Sequence, residues 1–294
     1  VPRTAGLGTI PGGRASAPPL DPSSSLAAGL VGWWAAGEGA GTSVRDLSAY
    51  AATGTILGTN AAAAWGHGPG GAAGTRAVAL DGTTNYVSAG QPPQLNITGP
   101  FTLAAWVLPI ATGTNNSGLI SRDQITTRQF NLMLMTAGNG SVWRLYANGA
   151  TGGLKNTSSN GAATLAQWSR VVGLWDGANL YLWVNGVRQT AIVVMTDAAL
   201  ASYAIDVNLG RTFNTSGSYF NGRLAELGIW RRALQPAEIL RDYVRTADLY
   251  LPRIRQWSSR ITSATAATQT SVSLAAAVTS GLLHARRQSA TALA

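Results

Sequence analysis

The chain has 294 residues, enough for one large domain or two small ones and for a sizeable buried core. Only 11% of the residues are charged, and 35 glycines, with much alanine, serine and threonine, take their place, which favours strands and turns over charged surface helices. Cysteine is absent, which excludes disulfides and thiolate metal sites, and the net charge of +9 rests on 20 arginines and a single lysine, Lys155.

Residues 1–28 read as an extended arm, because "PGGRASAPPLDPSSS" mixes proline, glycine and serine with little to bury. The start of the chain carries no secretory-leader pattern. No apolar run approaches the roughly 20 residues of a membrane helix, so no membrane partner is expected.

From "GLVGWW" to about residue 250, short apolar runs alternate with turn signals, the pattern of an antiparallel sandwich. In "SVWRLYA" the period of two puts Arg144 and Tyr146 on one face of a strand and Trp143 and Leu145 on the other. In "WSRVVGLWDGANLYLWVNGVRQTAIVV" the Asp176-Gly177 and Asn185-Gly186 pairs supply the positive φ angles of tight hairpins. The segment is therefore a meander, with Tyr181 and Trp183 on one face of its middle strand and Leu180, Leu182 and Val184 on the other. Next, "FNGRLAELGIWRRALQPAEILRDYV" gives a strand and then a short helix with Pro236 in its first turn. Ile239, Leu240 and Tyr243 are expected on its buried side.

Residues 251–294 carry five arginines and no acid, so much of the basic charge belongs to this second arm, whereas residues 29–250 hold 14 basic and 11 acidic side chains. Within the arm, Val272, Leu274, Ala276 and Val278 alternate as in a strand, while Val272, Ala276, Thr279 and Leu283 fit a helical stripe. The β-branched and hydroxyl content favours the extended form.

The landmarks "GLVGWWAAGEGAGTSVRDLSAYAATGTI", "AVALDGTTNYVSAG", "LNITGPFTLAAWVLP", "GLISRD", "QWSRVVGLWDGANLYLWVNGV", "NLGR" and "YFNGRLAELGIWRRALQPAEI" occur in this order over residues 29–250. Together they resemble a LamG-like jelly roll of the concanavalin A-like lectin and glucanase superfamily. The resemblance implies an all-β fold: a two-sheet antiparallel jelly-roll sandwich with one short C-terminal helix, flanked here by extended N- and C-terminal arms. It also implies ligand sites on the concave face or its rim loops, but one fold serves many functions.

Relatives often carry a carboxylate pair where this chain has Thr84 and Asn85, and an acid where it has Ala225. The acids left nearby are Asp81 and Glu226, a sparse set for calcium, which takes about six to eight oxygen ligands. Asp81 is expected to brace its own turn and Glu226 to pair with an arginine; a weak calcium site is the alternative, and no other cofactor is expected.

Glycoside hydrolysis needs two flanking carboxylates, yet Glu226 stands alone and Glu238 falls on the helix. His67 in a glycine-rich loop and His284 in the tail are poor material for a triad or metal site, so no enzymatic activity is expected. Arg144, Tyr146, Tyr181 and Trp183 are the candidates for stacking on and hydrogen-bonding a glycan; the competing reading makes these aromatics core or subunit interface. Sparse tail arginines without interleaved aromatics point to an acidic protein surface rather than nucleic acid.

The stub "LYLPRIRQW" is similar to LamG-containing proteins encoded among bacteriophage structural genes. That similarity implies a virion protein, made in the host cytoplasm and oligomeric with itself, serving as a capsid decoration or head-fibre protein. Its arms would bind the major capsid protein or other virion proteins. Arg253, Arg255, Arg260, Arg286 and Arg287 would meet acidic capsid surface, and Ile254 and Trp257 would supply an apolar anchor. The rival reading is a secreted or cell-surface carbohydrate-binding module with linker arms.

Overall fold

The computed structural model describes residues 20–69, 76–111, 116–124, 126–135, 141–212 and 218–244. Residues 1–19 of the expected first arm, and the whole of the second arm with its seven contact residues, lie outside the described residues.

Seventeen strands occur among the described residues: β1 (Leu30–Trp34), β2 (Ser43–Val44), β3 (Gly54–Leu57), β4 (Trp65–His67), β5 (Arg76–Asp81) and β6 (Tyr86–Gly90). There follow β7 (Phe101–Pro109), β8 (Ser117–Asp123), β9 (Arg128–Met135), β10 (Val142–Gly149), β11 (Gly153–Ala162) and β12 (Ser169–Trp175). Last come β13 (Asn179–Val184), β14 (Val187–Arg188), β15 (Val193–Val194), β16 (Val207–Leu209), β17 (Asn221–Trp230) and the helix α1 (Pro236–Val244).

Two antiparallel sheets result, as expected of a jelly-roll sandwich. One runs β14-β13-β12-β7-β17-β5-β4, with β1 also on β17 and β15 on β13; the other runs β11-β10-β9-β8-β16-β6-β3-β2. The meander forms as β12, β13 and β14, with Asn185 and Gly186 at φ 51° and 75°. His67 is exposed on the edge strand β4 rather than in a loop.

Alternation assigns the faces. Leu103, Val171, Leu182 and Ile229 from the nine-stranded sheet meet Ile56, Val87, Ile120, Leu132, Leu145 and Leu209 from the eight-stranded sheet in the main core. The opposite face of the nine-stranded sheet has a core of its own, in which Leu26, Trp33, Trp183, Trp230, Leu234 and Ile239 are buried together. This second core corrects the first arm's boundary. Residues 20–28 belong to the domain: Leu26 is fully buried in a 3₁₀ turn at Ser25–Ala27, and its carbonyl accepts a 2.6 Å hydrogen bond from Trp230 Nε1.

The helix departs from expectation at one position. Ile239 is buried and Tyr243 half-buried against Trp106, at 5.8 Å between ring centroids, but Leu240 is 52% exposed. The third inward residue is Asp242, fully buried, where it receives a bidentate ion pair from Arg170 of β12 at 2.7 and 2.9 Å.

Candidate functional site

The register of the eight-stranded sheet lines up one residue from every strand. Asn156 stands opposite Tyr146, Tyr146 opposite Asn131, Asn131 opposite Ser121, and Ser121 opposite Asn208. Asn208 in turn faces Ser88, Ser88 faces Thr55, and Thr55 faces Ser43. All eight are polar. The neighbouring row, Leu145, Leu132, Ile120, Leu209, Val87 and Ile56, is apolar and lies in the main core. Because successive side chains alternate across a sheet, the polar row points away from that core.

The row is exposed at its ends, Asn156, Thr55 and Ser43, and buried at its centre, where Asn131 and Ser121 are 0% and Asn208 4% exposed. Residues 210–212 contribute to this cover. Ser121 Oγ donates to the Arg211 carbonyl, and Asn131 Nδ2 donates to Thr212 Oγ1 at 3.1 Å and to Asp123 Oδ2 at 3.2 Å. The close approach depends on Gly118 of β8, since a Cβ there would sit 2.6 Å from the Arg211 carbonyl oxygen. Gly118→Ala is therefore expected to destabilise the domain by about 1–2 kcal/mol, read as a lower denaturant midpoint; an unchanged midpoint would show that residues 210–212 yield freely.

Polar atoms at this centre lack partners among the described residues. There Asn131 Oδ1, Asn208 Oδ1 and Arg211 Nε are buried without a hydrogen bond, and Asp123 Oδ1 accepts none, although Arg128 Nε lies 3.5 Å from it. Such groups cost about 1–3 kcal/mol each unless water or a ligand meets them. Burial pushes the Asp123 carboxyl up to about 6, against the lowering effects of Asn131 and Arg128. The Arg211 guanidinium stacks 3.6 Å from the centroid of the half-buried Tyr86 and 5.8 Å from that of Tyr219. Further along, Arg144 Nε donates to Ser158 Oγ at 2.8 Å and its guanidinium lies 5.8 Å from the Tyr146 ring. The face thus offers amide and carboxylate acceptors, guanidinium donors and tyrosine rings.

The four expected glycan residues divide between the sheets. Arg144 and Tyr146 belong to this polar face, Tyr146 in the row itself. Tyr181 and Trp183 share one face of β13, as alternation requires, but that face belongs to the other sheet; Trp183 is only 6% exposed in the second core. They line a small cavity of about 170 Å³ with Asp176, Arg188, Leu234 and Pro236.

Asp81 and Glu226 are likewise not brought together. Asp81 closes β5 opposite Asn221, whereas Glu226 lies five residues further along β17, in a bulge at φ 48°. Asp81 braces its turn: burial raises its pKa, but the N–H groups of Asn85, Thr84 and Thr83 and the Thr84 hydroxyl outweigh it and hold the carboxyl well below the usual range. Glu226 meets an arginine through its backbone, its carbonyl accepting from Arg170 Nη1 at 2.6 Å. Among the described residues no three His, Asp or Glu side chains gather as a metal site.

Ser121, Asp123, Asn131, Asn208 and Arg211 went unnoticed in the sequence. A signal was present in "RQFNLMLM", where Gln129 and Asn131 alternate with Phe130, Leu132 and Leu134, but only pairing across the sheet joins it to Ser121 and Asn208.

Among solved structures, domain 4 of AbnA, a GH43 extracellular arabinanase from Geobacillus stearothermophilus in complex with arabinotriose, matches with a TM-score of 0.56 at 16% identity, over 72% of this chain and 96% of that one. The binding domain of Paraclostridial Mosquitocidal Protein 1 also reaches 0.56, at 13% identity, over 74% of this chain and 52% of that one. The receptor binding domain of botulinum neurotoxin C/D mosaic serotype gives 0.56 at 11%, over 74% and 51%. At these identities the likeness shows the fold alone, and the chain spans about half of the two toxin chains. No curated protein matches the sequence. The family model described as the Concanavalin A-like lectin/glucanases superfamily matches residues 81–240, which include the row from Ser88 to Asn208. With that match covering more than half of its length, the chain belongs to the concanavalin A-like lectin/glucanases superfamily.

Proposed function

We propose that the domain is a non-catalytic carbohydrate-binding jelly roll whose ligand lies along the polar face of the eight-stranded sheet. The observation that carries this reading is the reachable part of the polar face, where Arg144, Tyr146 and Asn156 lie side by side on β10 and β11, half-buried or exposed, beyond the cover that residues 210–212 place over Ser121 and Asn131. A saccharide presents many hydroxyls that donate and accept, and its ring face packs on aromatic surface; amides and tyrosines match both demands. Among the described residues Asp123 is the one carboxyl at the centre of the face and is 3% exposed, whereas glycoside hydrolysis takes two carboxylates flanking the bond, which favours recognition over hydrolysis. Domain 4 of the arabinanase, solved with arabinotriose, makes that sugar a suitable first probe.

The test is calorimetric titration of the full chain with arabinotriose and a panel of other oligosaccharides. Saturable binding is expected, weakened about tenfold by Arg144→Ala or Tyr146→Ala, since one lost polar or stacking contact is worth about 1.4 kcal/mol. Trp183→Phe, on the other sheet, should leave binding unchanged. The face is not the site if both variants bind as the parent does.

Virion attachment rests on the acid-free basic composition of residues 251–294. It concerns a different part of the chain and is compatible with a sugar-binding face.

A further inference from the structure

Resting on the saccharide reading, the geometry points to an acidic oligosaccharide as the ligand, with a carboxylate seated against Arg211. Arg211 is 8% exposed, yet among the described residues it forms no ion pair within 4 Å, and its buried Nε has no hydrogen-bond partner there. Its guanidinium lies 3.6 Å over the Tyr86 ring. Stacking occupies the flat face of the group and leaves its edge for in-plane hydrogen bonds. Nε is enclosed, so the edge that remains is that of Nη1 and Nη2, and a planar carboxylate fits it with two parallel bonds. A hydroxyl can take only one of these donors, and leaves the positive charge unmet in a partly desolvated place.

A second cation continues the pattern. Arg144 touches the Ser158 hydroxyl and the Tyr146 hydroxyl, at 2.8 and 3.4 Å, and like Arg211 has no acid within ion-pair distance among the described residues. It stands on β10, three strands from β16, so roughly 14 Å separates the two strands. The acids bordering the face are already engaged: Asp123 lies 3.5 Å from Arg128, and Asp206 accepts a 3.4 Å hydrogen bond from Ser88. Tyr146, Asn156 and Ser88, the half-buried or exposed members of the row on either side of its covered centre, hold the sugar's hydroxyls, while the arginines select for charge.

The experiment titrates the full chain with trigalacturonate, its fully methyl-esterified form and a neutral trisaccharide. The acid is expected to bind at least tenfold more tightly than its ester, and raising the salt concentration should erode that preference. Arg211→Gln should bring acid and ester to within about twofold while keeping the ester's affinity. Arg211→Lys, which keeps the charge but not the two-point edge, should lose most of the preference as well. Circular dichroism and a denaturant midpoint establish that each variant is folded. Equal binding of acid and ester by the parent chain, with neutral sugar still bound at the row, overturns this inference and leaves the saccharide reading intact. A preference that survives both substitutions overturns the role of Arg211. Failure of the parent to bind any of a wide panel of saccharides overturns both readings.

Discussion

Replacing Arg170 with methionine is expected to destabilise the domain by about 3–5 kcal/mol, the cost of breaking a buried ion pair from one side. Arg170 is fully buried, and its guanidinium serves three elements at once. Nε and Nη2 bind the two oxygens of Asp242 on α1, Nη1 donates to the Glu226 carbonyl in the β17 bulge, and the group lies 5.7 Å from the ring of Trp33 on β1. Methionine fills much of the volume but leaves Asp242 without its bidentate donor and the bulge carbonyl without its cation. Removing both charges in Arg170→Met/Asp242→Leu should recover most of the loss, because two desolvated charges attract only about as well as they are costly to bury. Guanidinium denaturation with a common slope measures this. A single-variant loss below about 1 kcal/mol would show that the pair does not fasten the helix. Saccharide binding at temperatures well below unfolding should be unaffected, since the pair lies on the other sheet.

Local signals made the fold readable. Asp176-Gly177 and Asn185-Gly186 set the meander, and the period of two put Leu180 and Leu182 in one layer with Tyr181 and Trp183 in the other. Alternation cannot tell which of two apolar layers a strand serves, so Trp183 could be read as a glycan contact or as core, and it lies in the second core with Leu26 and Ile239. Those residues read as slack because a single leucine, Leu26, carries much of their docking. Asp242 escaped notice for a related reason: its partner Arg170 is 72 positions away, and an acid on a short surface helix looks solvated. The polar row is the extreme case. Each strand gives it only one residue, and Ser121 and Asn208 become neighbours through a β8–β16 pairing that spans 87 positions. Gly118 carries the same lesson, since only the placement of residues 210–212 shows why a side chain is excluded there.

The Asp123→Asn variant is expected to be more stable than the parent at pH 7.5 by about 3 kcal/mol, and nearly equal to it at pH 4. Asp123 is 3% exposed, and burial raises its pKa from 3.8 to about 6. A carboxyl that holds its proton more tightly when folded favours the fold as pH drops from about 6 toward 3.8; above about 6 the folded state bears the full cost of an ionised, desolvated group. Two pH units correspond to about 3 kcal/mol. Asparagine removes this titration and keeps polar atoms where Asn131 needs them: after an amide flip, Asn131 Oδ1, now without a donor, accepts from the new side chain. The substitution gives up the 3.5 Å contact with Arg128, whose side chain is 32% exposed, so little is lost. Comparing parent and variant at each pH cancels the opposing trend of Asp81, Asp197 and Glu238, whose pKa values are lowered and which therefore favour the fold at higher pH. A difference that stays constant between pH 4 and 7.5, or a variant weaker than the parent at pH 7.5, would show that Asp123 is not held against its charge. The expected result places the main strain of this sheet at the centre of the polar row.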